Sequence, residues 1–394
     1  MPWTESRVDA RLKFIQDYVM GHWPMSEVAR QHGISRKTAY KLLARFRDSG
    51  AEGLLDRSRA RHTQEHRTPP QIEEQIVAAA ERWRCWGPRK LVAILKRRRP
   101  EIAWPAKSTV GDILKRHGLV KPRRPRRLAL PASPGALVPA REPNDLWSTD
   151  FKGWCLSGSR ERLEPFALGD VFSRYALSCE LVDSTSDEAV WPIFERAFRT
   201  YGLPLRIRSD NGPPFASPGL AGLSRLSVRW LRLGIRPERI RPGKPQQNGC
   251  LERFNLTLEL EALSPPARTR ATQARALQRF RTRFNRVRPH EALDDRTPAE
   301  VYEPSPRRLP RRLPEFCYGD HLVVRTVRSD GCMKWAGSSY FLSEVLAGEP
   351  VGLLQVSSRH WSIQLGPLEV ALLDEETDEV LPARTLIWLD EDDN

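Results

Sequence analysis

Two proline- and arginine-rich stretches, residues 121–143 and 304–314, interrupt the apolar periodicity of this chain. No helix or strand runs through such a stretch. Proline lacks the amide hydrogen and pushes the preceding residue out of the helical basin. Both stretches read as linkers, and 394 residues predict roughly two to four domains. Before residue 121 the apolar residues recur at helical spacing. From 144 to 262 short strand-like runs alternate with helical ones. After 315 only short strand-like runs are found. The expected fold class is multidomain: all-α N-terminal units, an α/β core and a small all-β C-terminal domain.

Charge separates the same segments. The chain holds 64 Lys and Arg against 49 Asp and Glu, net +15. Residues 1–130 are net +16, residues 131–314 net +9 and residues 315–394 net −10. A basic front half points to a polyanion, most simply nucleic acid. A generally solubilising surface would leave the asymmetry unexplained. No uncharged apolar run reaches about 18 residues, so no membrane-spanning helix is expected. Met1–Asp9 lacks a basic region followed by an apolar stretch, so secretion is not expected. Six cysteines without a C-x-x-C pair read as reduced thiols of a cytoplasmic protein. His62 and His66 are spaced H-x-x-x-H but lack paired cysteines, and are not taken as a zinc site.

The first module spans residues 4–61. Val8, Leu12, Ile15 and Val19 mark one helix, and Met25–His32 a short second one. Gly33-Ile34-Ser35 follows, with Ser35 placed to cap a helix over Arg36–Arg47. Short helix, glycine turn and helix is the helix-turn-helix pattern. Ala29, Ile34, Ala39, Leu42 and Leu43 would pack the pair, leaving Arg36, Lys37, Lys41 and Arg45 for a major groove or phosphates. A plain helical hairpin with a solvated basic face is the weaker alternative. Residues 70–120 repeat the theme. Ile72, Ile76, Val77 and Ala80 form a stripe, Trp86-Gly87-Pro88 breaks the chain, Lys90–Arg98 forms a helix, and Ser108 caps Thr109–His117. Lys90 is the DNA-contact candidate of this second helix-turn-helix-like module. The 121–143 linker, with Lys121-Pro122-Arg123-Arg124-Pro125-Arg126-Arg127, is expected to be extended.

Strands are expected over Leu146–Phe151, Pro165–Asp170, Tyr175–Val182 and Leu205–Asp210. Helices are expected over Asp187–Thr200, Pro218–Leu233, Gln246–Ala262 and Thr269–Phe284, the last with Ala274, Leu277 and Phe280 on one stripe. This order gives a mixed sheet flanked by helices over residues 144–303. After the 304–314 linker, strands at His321–Val327, Cys332–Trp335, Tyr340–Leu342, Val351–Val356 and Trp361–Leu365 suggest a small β-barrel or sandwich over 315–385. The acidic tail Asp390–Asp393 is expected to be disordered.

Three acids stand out by position. Asp150 closes a strand, Asp210 ends another and opens Asp210-Asn211-Gly212, and Glu252 enters a helix after residues 242–249. Each alone has an ordinary explanation as a strand-end, turn or helix-start residue. Together, two strand-end carboxylates and one helix carboxylate would converge over a sheet. So grouped they repel unless a cation neutralises them, and magnesium or manganese suits such oxygen donors.

The words around these acids carry a resemblance. Trp147-Ser148-Thr149-Asp150-Phe151-Lys152-Gly153, Arg206–Phe215 and Pro242–Gly249 with Glu252-Arg253-Phe254 are similar to DDE-type transposases of bacterial insertion sequences with a retroviral-integrase-like core. Phe284-Asn285, Arg288-Pro289-His290-Glu291-Ala292-Leu293 and Thr297–Tyr302 match the family's trailing segment. The resemblance covers about residues 5–303. It implies an RNase H-like core with Asp150, Asp210 and Glu252 as the metal-binding catalytic triad, holding Mg2+ or Mn2+, two ions per site. It also implies double-stranded DNA as partner, both element termini and target, and a homo-oligomer assembled on it. Related transposases commonly carry a histidine three residues and a lysine seven residues after the glutamate, where this chain has Asn255 and Glu259.

The implied reaction cleaves a phosphodiester at the element end, then joins the freed 3′-hydroxyl to target DNA. Lys244 and Asn248 are candidates for DNA contact; Asn211 and Asn248 could orient a carboxylate or a phosphate, or serve only a turn and a helix cap; Arg288 and His290 are weaker candidates. Two other functions compete: a helix-turn-helix regulator whose core has lost catalysis, and a general RNase H-like nuclease that ignores end sequence. The acidic last domain is expected to be structural or protein-binding rather than a DNA clamp. The expected location is the bacterial cytoplasm, at the nucleoid.

Overall fold

The computed structural model describes residues 7–56, 67–120, 138–241 and 244–388. The expectations at His62 and His66, over 121–137 of the first linker, at Pro242 and Gly243, and in the 390–393 tail lie outside these residues. The chain forms two compact units, residues 1–68 and 69–394.

The first unit contains α1 (Arg7–Val19), α2 (Met25–Gln31), α3 (Arg36–Ser49) and a 3-10 turn over Gly50–Leu54. Phe14, Ile15, Val28, Ala29, Ala39, Leu42, Leu43 and Leu54 form its core, with Ile34 packed at the margin. Val19 is 70% exposed and does not extend the α1 stripe. The helix ends there, before the chain turns at Gly21 with φ 75°. Ser35 caps α3 by accepting the Thr38 N–H at 3.2 Å. Gly33 supplies the positive φ of 63° that the turn between α2 and α3 requires.

The second unit begins with α4 (Pro70–Arg82), α5 (Pro88–Arg98) and α6 (Lys107–Arg116). Their shared core includes Ile76, Trp83, Trp86, Leu91, Ile94 and Ile113. Pro88 opens α5, where its fixed φ suits a first helical turn. The cap expected at Ser108 is corrected: Ala106 in extended backbone precedes the helix, so Ser108 falls inside its first turn. This helical module is tied to later parts of the chain. Arg89 pairs with Asp295 at 2.9 Å and Glu291 at 2.6 Å, and Arg97 with Glu300 at 2.9 Å.

The core sheet contains β1 (Leu146–Phe151), β2 (Cys155–Leu156), β3 (Arg162–Asp170), β4 (Ala176–Val182), β5 (Arg206–Ser209) and β6 (Arg236–Arg239). Its order is β2-β3-β1-β5-β6, with β4 also on β3. β1 and β3 are antiparallel, whereas β1, β5 and β6 are parallel. One face is covered by α7 (Asp187–Tyr201) and α8 (Arg225–Arg232) around Trp147, Phe194, Phe198 and Trp230. The other is covered by α9 (Gly249–Leu258) and α10 (Arg270–Arg286) around Leu251, Phe254, Leu277 and Phe280. The helix expected over 218–233 starts only at Arg225, because Ala221 and Gly222 take positive φ and Ser224 forms a capping box with Ser227. The one expected over 246–262 splits into a 3-10 turn at Pro245–Asn248, α9, and a π-helical turn at Glu259–Leu263.

The last segment contains β7 (Val323–Thr326), β8 (Cys332–Trp335), β9 (Ser338–Phe341), β10 (Pro350–Gln355), β11 (His360–Leu365), β12 (Leu368–Asp374) and β13 (Glu379–Trp388). Five strands form an antiparallel sheet in the order β13-β12-β11-β10-β7, and β8 and β9 form a hairpin. β7 and β13 are its two edges, so the pairing is that of an open sheet rather than a closed barrel. Sheet and hairpin share one hydrophobic cluster with Leu220, Leu223, Val228 and Leu231 from the α8 region. The molecule thus has a helix-turn-helix N-terminal region, an RNase H-like core with a mixed sheet, and an all-β C-terminal segment.

Candidate active site

Asp150 and Asp210 stand at the carboxyl ends of neighbouring parallel strands. Ser148 pairs with Arg208 across β1 and β5. Two residues further along each strand lie Asp150 and Asp210. Adjacent strands are about 4.8 Å apart, so both carboxylates occupy one end of the sheet. Trp147 and Phe151 point to the α7 face, against Phe198 and Phe166. Alternation therefore turns Ser148 and Asp150 toward α9. Asn255 on α9 donates from Nδ2 to Asp150 Oδ2 at 2.9 Å. Glu252, three residues earlier on the same helical face, is exposed in the first turn.

Burial pushes the Asp150 carboxyl up to about 7, and the negative charges of Asp210 and Glu252 push in the same direction. The Phe151 backbone and the Lys152 charge oppose them. Asp210 is raised as well, by burial, against the pull of the Gly212 N–H that donates to Oδ1 at 3.2 Å. A Cβ at residue 212 would lie 3.3 Å from Asp210 Oδ2, so glycine leaves this carboxylate its room.

Among the described residues no three His, Cys, Asp or Glu side chains are grouped closely enough to hold a metal by themselves. The donor chemistry nevertheless fits a hard divalent cation. The donors are carboxylate oxygens, and burial first, then the charges of Asp210 and Glu252, raises Asp150. Lys152, two residues from Asp150, pairs with Glu259 at 3.2 Å instead. Magnesium commonly takes one or two carboxylates and completes its shell with water and substrate oxygens, which suits two strand-end acids and one exposed helix acid.

Behind the acids lies a supporting network. Arg208 is buried and pairs with Glu238 at 2.6 Å, and its Nη1 donates to the Gln247 carbonyl at 2.9 Å. Arg206 bridges Asp145 at 3.0 Å and Glu238 at 3.1 Å. These bonds fix β5 against β6 and against the turn that launches α9. The Arg206-Ile207-Arg208 motif was visible in the sequence, but its partners on β6 were not.

The other sequence candidates fall in different places. Arg36, Lys37 and Lys41 are exposed on α3. Arg45 is half-buried and donates to the Leu55 carbonyl, so it is drawn into its own unit. Asn211 donates to the Ile240 carbonyl at 2.8 Å. Asn248 is buried just before α9 but makes no side-chain capping bond. Lys244 is exposed. Lys90 lines a cavity beside Arg253 and Arg288. Burial and these two charges lower its ammonium to about 8. Arg174 and Tyr175 of the same cavity had no sequence signal, since they sit in the turn between β3 and β4.

The integrase core domain family matches residues 140–245 and again residues 233–298. A helix-turn-helix domain family matches residues 10–62 and a homeodomain-like family residues 38–114. A 31.7 kDa uncharacterized protein of insertion element IS407 from Burkholderia multivorans is 30% identical over 59% of this chain and 82% of its own length. A 39.2 kDa uncharacterized protein of IS476 from Xanthomonas euvesicatoria is 29% identical over 58% of this chain. The match spans 64% of that relative, just under two thirds of its length. Among solved structures, the HTLV-2 integrase catalytic core in complex with magnesium aligns over 41% of this chain and 98% of its own, at 17% identity and TM-score 0.33. A chain of the simian T-cell lymphotropic virus intasome in complex with PP2A regulatory subunit B56 gamma aligns over 80% of this chain and 98% of its own, at 16% identity and TM-score 0.37.

The domain matches and the insertion-element relatives define an integrase-core protein, an enzyme of the polynucleotidyl transferase type. Within that class, the chain belongs to the insertion-sequence transposases with an integrase-like core and an N-terminal helix-turn-helix.

Proposed function

We propose that this protein is a DDE-type transposase that binds the terminal inverted repeats of its own element, cleaves a phosphodiester there and joins the freed end to target DNA. The observation that carries this is the register-matched placement of Asp150 and Asp210, with the charge of Glu252 felt at Asp150. In the first step a water oxygen bonds to phosphorus, the bond to the 3′-oxygen breaks, and that oxygen leaves as a hydroxyl. In the second, this hydroxyl attacks a target phosphodiester and a target 3′-hydroxyl is released. Each exchange is in-line at phosphorus, so no serine or tyrosine nucleophile is needed.

Asp150, Asp210 and Glu252 are the groups that would hold Mg2+ or Mn2+, two ions per site. Such ions, when bound, favour ionisation of the attacking oxygen and offset charge on the phosphoryl group. Asn255 holds the Asp150 carboxylate in one rotamer, and the Arg208–Glu238 pair holds the turn before α9. Arg36, Lys37 and Lys41 supply the outward cations of a helix that fits a major groove, and Lys244 a cation beside the site. Two element ends need two sites or reuse of one, which favours a homo-oligomer assembled on DNA. Among the described residues no helix is long and apolar enough to cross a membrane, and a bacterial cytoplasmic, nucleoid location goes with the proposed substrate.

Glu259, in place of the family's common lysine, favours one second reading: a DNA-binding regulator that has lost catalysis. Asp210→Asn separates the two. It should abolish cleavage of a duplex bearing the element's termini while leaving binding within about twofold. A wild-type protein that binds those termini but never cleaves them, with either metal, would favour the regulator.

A further inference from the structure

A cavity of about 310 Å³ opens beside the proposed catalytic acids, between α5, the β3–β4 turn, α9 and residues 284–292. Ser148 lines it. Ser148 shares a strand face with Asp150, two residues and about 7 Å away along β1. The cavity is therefore a neighbour of the site, within reach of a strand bound there, but not part of the acid cluster.

Its lining combines two chemistries. Tyr175, Phe254 and Phe284 contribute aromatic rings, the two phenylalanines as part of the buried core and Tyr175 half-buried with one face stacked on Tyr302. Lys90, Arg174, Arg253 and Arg288 contribute four cations. The nearby acids are largely committed. Asp170 accepts from the Ser173 N–H and the Asn144 N–H, each at 2.7 Å, and from the Ser173 hydroxyl. Glu261 is shared between Arg283, at 2.9 Å, and Arg288. Two of the lining residues also carry a buried polar atom without a hydrogen-bond partner, Arg174 Nη1 and His290 Nε2, which lie behind the cavity surface. Arg174 also sits at φ 64°, an uncommon conformation for a residue with a side chain. Unpaired buried polar atoms cost stability unless something else binds them.

We propose that this cavity binds one unpaired nucleotide, its phosphate held by Lys90, Arg174 and Arg253 and its base held against the half-buried ring of Tyr175. The size is right for a ligand of this class, at the lower end of small-molecule pockets. Aromatic faces bind any base by stacking, and clustered cations bind its phosphate. The proposal rests on the proposed function for one point only, that a DNA strand lies at the neighbouring acids. A free nucleotide would have the same chemistry.

The test uses the full chain and two variants. Arg174→Asn removes the guanidinium while keeping a residue tolerant of positive φ. Ala292→Trp places bulk at an exposed residue of the rim. Binding is measured to a blunt duplex, to the same duplex with one unpaired 5′ nucleotide, to deoxyadenosine monophosphate and to inorganic phosphate. The expected result is at least about fivefold tighter binding of the overhang duplex than of the blunt one. That preference should vanish in both variants, with blunt-duplex binding unchanged. Variant-sensitive binding of the free monophosphate, tighter than phosphate, without an overhang preference would assign the cavity to a free nucleotide. The proposal is overturned if neither the overhang nor the monophosphate shows binding that both variants remove. Loss of blunt-duplex binding in the wild type would count against the proposed function, and the free-nucleotide arm would still test the cavity.

Discussion

Asp150 is held where its charge is disfavoured. Its carboxyl is raised to about 7 by burial and by Asp210 and Glu252. A raised folded value means the associated stability is present below pH about 4 and is lost as pH rises through about 7. Without divalent ions, Asp150→Asn should therefore be more stable than the wild type at pH 8, by roughly 2–4 kcal/mol. Urea unfolding checks this, and added magnesium should narrow the gap. His290 shows the opposite sign. Burial, then the charges of Lys90 and Arg288, lowers its imidazole to about 3. Its stability is present above about pH 6.5 and is lost as pH falls toward 3. His290→Gln should flatten the acid limb of stability between those values, followed by unfolding at a series of pH values. At this scale the acids were legible, because each sits in a distinctive run of residues. The committed partners were not: Asn255 donating to Asp150, and Glu259 answering Lys152, join residues about a hundred positions apart.

Among elements, β5 is the one on which the site depends most. Its buried Arg208 is held by Glu238 on β6 and reaches the turn before α9. Arg208→Ala would leave Glu238 with Arg206 as its remaining partner, and the loss of the charged hydrogen bonds to Glu238 and to the Gln247 carbonyl should cost about 2 kcal/mol in unfolding free energy. It should also lower cleavage more than that loss of folded protein explains. β6 itself was not foreseen, because Arg236-Pro237-Glu238-Arg239 has no alternation and is a strand only through its parallel pairing with β5. β12 and β13 escaped for a related reason, since β13 carries Pro382 opposite Ala371 at a register shift. By contrast α3 was legible in detail. Ser35, Ala39, Leu42 and Leu43 announce cap and buried face, and Ser35→Ala should cost about 1 kcal/mol. The nucleotide cavity had no such signature, because four separate segments of chain build it.

At the scale of the molecule, charge and architecture agree. The net +16 of residues 1–130 goes with the helix-turn-helix region, and the net −10 of residues 315–394 with the all-β segment. That segment shares a hydrophobic cluster with α8, so it supports the core's packing whatever else it binds. The exposed Arg36, Lys37 and Lys41 should dominate phosphate contacts of the first unit. Replacing all three by alanine should reduce the salt slope of DNA binding by about 3. In the proposed function the acids at the ends of β1 and β5, with Glu252, support transfer of a DNA strand. The most direct measurement supplies the full chain with a labelled duplex that already ends in the element's terminal 3′-hydroxyl, a target plasmid and magnesium or manganese, and sequences any joined products. Junctions should link that 3′-hydroxyl to target DNA and be lost in Asp210→Asn and without metal. Bound ends that yield no junctions with either metal, or junctions that persist in Asp210→Asn, would contradict the proposed function.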